Sequence, residues 1–269
     1  MKITFIGGGN MGSALISGLV KSGAKPGDIS VVEPDPEKRS RIEKGYGVTA
    51  TEEADVLGDV VLLGVKPQQL REVAAKLSGR IGSRLVISIA AGIRSEDLSC
   101  WLNGHRNIVR VMPNTPAQVS KGISALYALP EVDSSGRRTA EAVLSSVGST
   151  IWLDEEGKMD DFTALCGSGP AYVFYFIEAM LEAARRMGFD ALEAKKMVLE
   201  TFSGSIALAL ESPEDAGILR QKVTSKGGTT ERALNEMEKN DVKDHVVEAV
   251  FAARERSREL AVELGKASC

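Results

Sequence analysis

The chain has 269 residues, of which 43% are hydrophobic and 26% charged, and its formal net charge is −4. That length is enough for two domains with sizeable cores. An acidic balance and an aromatic content of 5% exclude a nucleic-acid surface built on basic patches or stacking rings.

Taken in order, Ile3–Ile6 reads as a strand and Met11–Lys21 as a helix, with Leu15, Ile16, Leu19 and Val20 on one side. Ile29–Val32 is a second strand and Pro36–Lys44 a charged helix. Val60–Val65, Leu85–Ile89 and Ile108–Val111 are short, nearly all-apolar runs, as expected for strands buried on both faces of a parallel sheet. Strands alternating with helices predict a doubly wound α/β domain over residues 1–158. From about Met159 the strand-like runs stop. Gly169–Met187, Ala191–Leu210 and roughly Val242–Leu264 read as long helices, the first with Val173, Ile177, Met180, Ala184 and Met187 in a stripe. Residues 159–269 are therefore expected to form an all-helical domain that covers its apolar stripes with a second copy. The apolar run after Lys2 is too short for a secretory signal. No run reaches the ~18 apolar residues of a membrane span. Cys100, Cys166 and Cys269 are scattered, without metal-ligand spacing, and His105 and His245 stand alone. The expectation is a cytoplasmic protein with no metal, membrane or nucleic-acid partner.

The first strand runs into Gly7, Gly8, Gly9, Asn10, Met11 and Gly12, a G-x-G-x-x-G between strand and helix. Gly7 permits the turn, Gly9 lets a pyrophosphate approach the backbone, and Gly12 lets helix and strand pack. The helix N-terminus offers free N–H groups and the positive end of a dipole to phosphates. Glu33 ends the second strand about 20 residues further on, where an acidic side chain can bond the adenosine ribose and favour NADH. Lys38, Arg39 and Arg41 follow; they either offset that charge or form a solvated helix face. Ligands of open parallel sheets bind at the carboxyl ends of the strands. Val65-Lys66-Pro67, Ala90-Ala91-Gly92 and Asn114 end later strands there and join the cofactor candidates. Asn114 either bonds a carboxamide or closes an Asx turn.

Val223-Thr224-Ser225-Lys226-Gly227-Gly228-Thr229-Thr230 interrupts two helices. One reading is a helix cap, a turn and a threonine N-cap, with an incomplete capping box. The other is an anion site, where Gly227 and Gly228 let N–H groups point inward beside a helix dipole.

The chain resembles the pyrroline-5-carboxylate reductase family over nearly its full length, through FIGGGNMG at 5–12, GVKPQ at 64–68, RVMPNTPA at 110–117, GSGPAY at 167–172 and VTSKGGTT at 223–230. The resemblance implies a Rossmann-type dinucleotide domain followed by a helical dimerisation domain, and reduction of the cyclic imine 1-pyrroline-5-carboxylate to proline by NADPH or NADH. It implies a homodimer; rings of dimers occur among similar proteins. It assigns the substrate carboxylate to the turn that here holds Ser225, Gly227, Gly228 and Thr229, and the ring nitrogen to Thr230, the catalytic candidate. Two positions depart from the family pattern. Lys226 stands where proline is usual, and Pro34 where many members carry an arginine that holds the 2′-phosphate of NADPH. A β-hydroxyacid dehydrogenase would need a lysine on the first long helix of the second domain, and Val173–Ala184 has none. A dinucleotide-sensing dimer without turnover gives no reason for the hydroxyl-and-glycine turn.

Overall fold

The computed structural model describes residues 1–53 and 57–265. Cys269 and the end of the expected helical domain lie outside the described residues. The chain divides into two compact units: Met1–Ser168 together with the chain from Ala253 onward, and Gly169–Ala252.

The first unit is built on an eight-stranded sheet. Its strands are β1 (Ile3–Ile6), β2 (Ile29–Val32), β3 (Thr49–Thr51), β4 (Val60–Leu63), β5 (Leu85–Ser88), β6 (Ile108–Met112), β7 (Gly122–Ala128) and β8 (Gly148–Trp152). Their spatial order is β3-β2-β1-β4-β5-β6-β7-β8. The order reverses between β1 and β4, so the end of β1 is the topological switch point where such sheets bind ligands. Helices α1 (Asn10–Lys21), α2 (Pro36–Tyr46), α3 (Pro67–Leu77), α4 (Ser95–Trp101) and α5 (Ser134–Ser145) intervene. Side chains alternate across the sheet. Val60 and Leu62 of β4 enter one buried cluster with Leu15 and Ile16 of α1 and Leu144 of α5. Val61 and Leu63 enter another with Leu70 and Ala74 of α3 and Leu98 of α4. Burial on both faces explains the unbroken apolar runs.

The sheet is mixed, because β7 runs antiparallel to β6 and β8 is parallel to β7. Residues 113–121 are too few for the dozen or so that a parallel crossover needs. They form a 3₁₀ turn, Thr115–Val119, that folds the chain straight back.

The composition change at Met159 is not where compactness divides the chain. Helix α6 (Lys158–Phe162) and a π-helical turn at Thr163–Gly167 still pack on the sheet unit. Met159 and Phe162 are buried against Ala125 of β7.

The second unit contains α7 (Gly169–Arg186), α8 (Ala191–Glu211), α9 (Ala216–Lys222) and α10 (Thr229–Lys239). Its last residues begin α11 (Val242–Gly265), whose remainder belongs to the first unit. Asp190 starts α8 with a full capping box, its carboxylate accepting from Glu193 N–H while Glu193 reaches back to Asp190. Of the residues in this unit only Ala184, Ala194 and Val198 are buried. The α7 stripe is open instead: Val173 is 41% exposed, Met180 42% and Met187 76%, with Phe174 at 63% and Tyr175 at 71% beside it. The helical stretch Lys158–Arg186 is long and apolar enough, by length and composition, to cross a membrane.

Candidate active site

The glycine loop leaves β1 at Gly7, whose φ of +103° lies in the region that favours glycine. A Cβ there would meet the Gly64 and Val65 backbone at 3.0 Å, so β1 and β4 close on each other over it. A Cβ on Gly12 would meet the Gly7 carbonyl oxygen at 2.8 Å, which fixes the approach of α1 to the strand. A Cβ on Gly9 would meet nothing within 4 Å. The space above Gly9 is open, and Gly9 caps α1 with no side-chain hydrogen bond. The first N–H groups of α1, from Asn10, Met11 and Gly12, are thus left for a ligand. These features fit a dinucleotide pyrophosphate.

Glu33 is 6% exposed, and its carboxylate turns under this loop. Oε2 accepts the Gly8 N–H at 2.9 Å and Oε1 accepts the Asp35 N–H at 3.2 Å. Asp35 caps α2 by accepting from the Glu37 and Lys38 N–H groups, and those bonds hold its carboxyl below the usual carboxylate range.

Lys66 ends the β4 segment as the N-cap of α3, exposed, with Val65 half-buried before it and Pro67 opening the helix. Ala90 is buried and Ala91 exposed, while Gly92 turns at φ +76° with Leu264 of α11 3.0 Å from where its Cβ would be. Asn114 is 9% exposed and bridges two elements. Its amide nitrogen donates to the Cys166 carbonyl at 3.1 Å and its amide oxygen accepts the Ile123 N–H at 2.9 Å. It therefore ties the π-helical turn to β7. Cys166 is a free thiol raised by burial, and Cys100 is not free.

In the second unit the structure gathers Ser225, Gly227, Gly228, Thr229 and Thr230 at the start of α10. The expected threonine cap is replaced by Gly228, because Thr229 and Thr230 already have helical backbone. Gly227 sits at φ +72° and Gly228 N–H closes the turn on the Ser225 carbonyl at 3.0 Å. A Cβ on Gly228 would fall 2.6 Å from the Ser225 hydroxyl oxygen, so the second glycine makes room for that hydroxyl. Among the described residues the Ser225, Thr229 and Thr230 hydroxyls have no hydrogen-bond partner. Sequence reading missed Glu231, whose carboxylate accepts the Gly227 N–H at 2.7 Å. A glutamate at the third helical position was the available signal. A carboxylate is thus already held by one amide of the turn, at the positive end of a helix dipole.

Residues 156–260 match the family model described as pyrroline-5-carboxylate reductase dimerisation, and residues 2–92 match NADP oxidoreductase coenzyme F420-dependent. The chain is 40% identical to the pyrroline-5-carboxylate reductase of Pseudomonas aeruginosa, over 98% of this chain and 98% of that one. Among solved structures it is similar to a pyrroline-5-carboxylate reductase from Coxiella burnetii, with TM-score 0.89, 37% identity and coverage of 96% of this chain and 98% of that one. It is also similar to the Plasmodium falciparum pyrroline carboxylate reductase with NADP bound, with TM-score 0.88, 31% identity and coverage of 97% and 98%.

Proposed function

The chain belongs to the pyrroline-5-carboxylate reductase family, and from that premise we propose how its own residues divide the work. It reduces the imine of 1-pyrroline-5-carboxylate to proline. A bound nicotinamide dinucleotide supplies the hydride.

The glycine loop at Gly7–Gly12 holds the pyrophosphate, with Val65, Lys66, Pro67, Ala90, Ala91 and Gly92 along the same strand ends. Glu33 shapes that loop from beneath. NADPH is the preferred donor and NADH is accepted. The match of residues 2–92 to an NADP oxidoreductase model supports this reading. The substrate carboxylate lies on the turn of Ser225, Gly227, Gly228 and Thr229, where the Thr229 N–H, the Ser225 hydroxyl and the α10 dipole favour an anion while the Gly227 and Gly228 N–H groups hold the turn itself. Lys226 adds a positive charge beside it. The Thr230 hydroxyl hydrogen-bonds the ring nitrogen and orients it, and relays to it a proton taken up from solvent, so that the hydroxyl is restored. The protonated imine is electrophilic by itself, so the chain's main task is to hold two bound partners in near-attack geometry. The observation that carries this assignment is the turn of Ser225–Thr230, with its left-handed glycine and three unpartnered hydroxyls.

The helical unit pairs with a second copy in the cytoplasm, which explains the open stripe of Val173, Phe174 and Met180. A β-hydroxyacid dehydrogenase is disfavoured because α7 contains no lysine. The test is to follow NADPH and NADH absorbance with and without 1-pyrroline-5-carboxylate. Substrate-dependent loss of absorbance is expected with both, faster with NADPH; no loss with either overturns the assignment.

A further inference from the structure

Three basic side chains follow β2, and the structure gives them different employment. The Arg39 guanidinium donates to the carbonyls of Glu33 at 2.7 Å and Pro34 at 2.8 Å, and lies 3.7 Å from Glu52. It is committed to bracing its own loop. Lys38 and Arg41, one helical turn apart on α2, instead line a cavity of about 230 Å³ with Gly8, Gly9, Asn10 and Ser13. No carboxylate lines this cavity. Arg41 makes no ion pair among the described residues. The Lys38 ammonium is 3.6 Å from Asp35 and 4.0 Å from Glu33, and its side chain is 47% exposed, so it can swing toward a stronger anion. The floor of the cavity is the glycine loop itself, open above Gly9.

We propose that this cavity receives the 2′-phosphate of NADPH, with Lys38 and Arg41 as its ligands, and that these two residues set the preference for the phosphorylated cofactor. The inference rests on the reading that the glycine loop holds the dinucleotide. A phosphate monoester carries close to two negative charges at neutral pH, and it is matched beside a cavity that no carboxylate lines by Arg41, which has no ion pair among the described residues, and by Lys38, whose contacts to Asp35 and Glu33 are long at 3.6 and 4.0 Å. Arginine adds planar, two-pronged hydrogen bonding to phosphate oxygens. Glu33 lies 4.0 Å from the Lys38 ammonium but does not line the cavity; its oxygens accept the Gly8 and Asp35 amides and its side chain is 8% exposed. Pro34 leaves no side chain at the end of β2 to do the same work, so the function moves to α2.

Calorimetric titration of the full-length protein with two matched pairs, 2′,5′-ADP against 5′-AMP and NADPH against NADH, reads this without turnover. Wild type should bind the 2′-phosphorylated member of each pair at least about tenfold more tightly. The Lys38→Gln/Arg41→Gln double variant should bring each pair within about twofold while keeping the affinity for NADH. Arg39→Gln should lower the thermal midpoint and keep the preference. Equal affinities within the wild-type pairs overturn the proposal. So does a preference that survives in the double variant, or an equal weakening of NADPH and NADH, which would place both cations on the pyrophosphate. Failure of wild type to bind any of the four ligands overturns the glycine-loop reading as well, and is distinguishable for that reason.

Discussion

The Ser257 hydroxyl donates to Asp160 Oδ1 at 2.8 Å, both groups buried, and joins α11 to α6 across 97 positions of sequence. Asp160 keeps a second partner, Arg94, at 3.3 Å. Ser257→Ala leaves one oxygen of a buried carboxylate without its donor. It should cost about 1.5–3 kcal/mol, read as a lower urea midpoint at unchanged slope. A change within ±0.3 kcal/mol, roughly the scatter of silent surface substitutions, would show that Asp160 is satisfied without it.

Thr230→Ala removes the hydroxyl assigned to the ring nitrogen. Steady-state kinetics should show kcat lower by about 10-fold or more, toward the range of general acid–base contributions. Ser225→Ala should act mainly on KM, since the proposal places Ser225 on the carboxylate and not at the reacting bond. An unchanged kcat/KM for Thr230→Ala would take that residue out of the mechanism.

Glu231 stabilises the turn through Gly227 N–H but brings a negative charge to the proposed site for an anion. Glu231→Gln keeps an acceptor and removes the charge. A like charge several ångström away in water costs of order 0.5 kcal/mol, so KM should fall about twofold with kcat unchanged. Glu231→Ala should raise KM instead, because the left-handed turn loses its tie. A rise in KM in both variants would mean that the charge itself is needed.

Burial pushes the His105 imidazole below its ordinary pKa, and its Nε2 is buried without a partner among the described residues. The folded chain therefore prefers the neutral ring. The unfolded chain binds the proton first as pH falls, so this contribution is full above about pH 6.5 and is lost on descent through the lowered folded value. The urea midpoint should drop between pH 7.5 and 5.5. In His105→Asn that drop should shrink; an equal drop in the variant would assign it to other groups.

Phe174 and Tyr175 stand open on α7, 63% and 71% exposed. If a second copy covers them, Phe174→Glu buries an unpaired charge in the interface and should dissociate it. Light scattering at micromolar concentration should give twice the chain mass for wild type and the chain mass for the variant.

Much of this was legible in sequence where the signal is local. The glycine loop announces itself because each glycine answers a contact within a few residues or across one strand. The strands of the switch-point region were readable because burial on both faces demands unbroken apolar runs. The direction of β7 was not, since it follows from how few residues separate it from β6. The division at Ser168 was also hidden. Met159 and Phe162 look like the start of a helical domain, and only their burial against Ala125 assigns them to the sheet. At the turn, residue types pointed to an anion site, but the cap position and the Glu231 tie depend on backbone angles that spacing does not encode. Lys38, Arg39 and Arg41 looked alike in sequence, and separated only once the direction of each side chain was known.

Glu33 has a practical consequence for redesign. An acidic residue at the end of the second strand is the customary handle for switching a reductase between the two nicotinamide cofactors. Here that side chain is a strut inside the loop, bonded to the Gly8 and Asp35 amides. Exchanging it would strip the Gly8 and Asp35 amides of their acceptor and deform the glycine loop, whichever cofactor is offered. A library aimed at altered cofactor economy should therefore leave Glu33 fixed and diversify the outward face of α2.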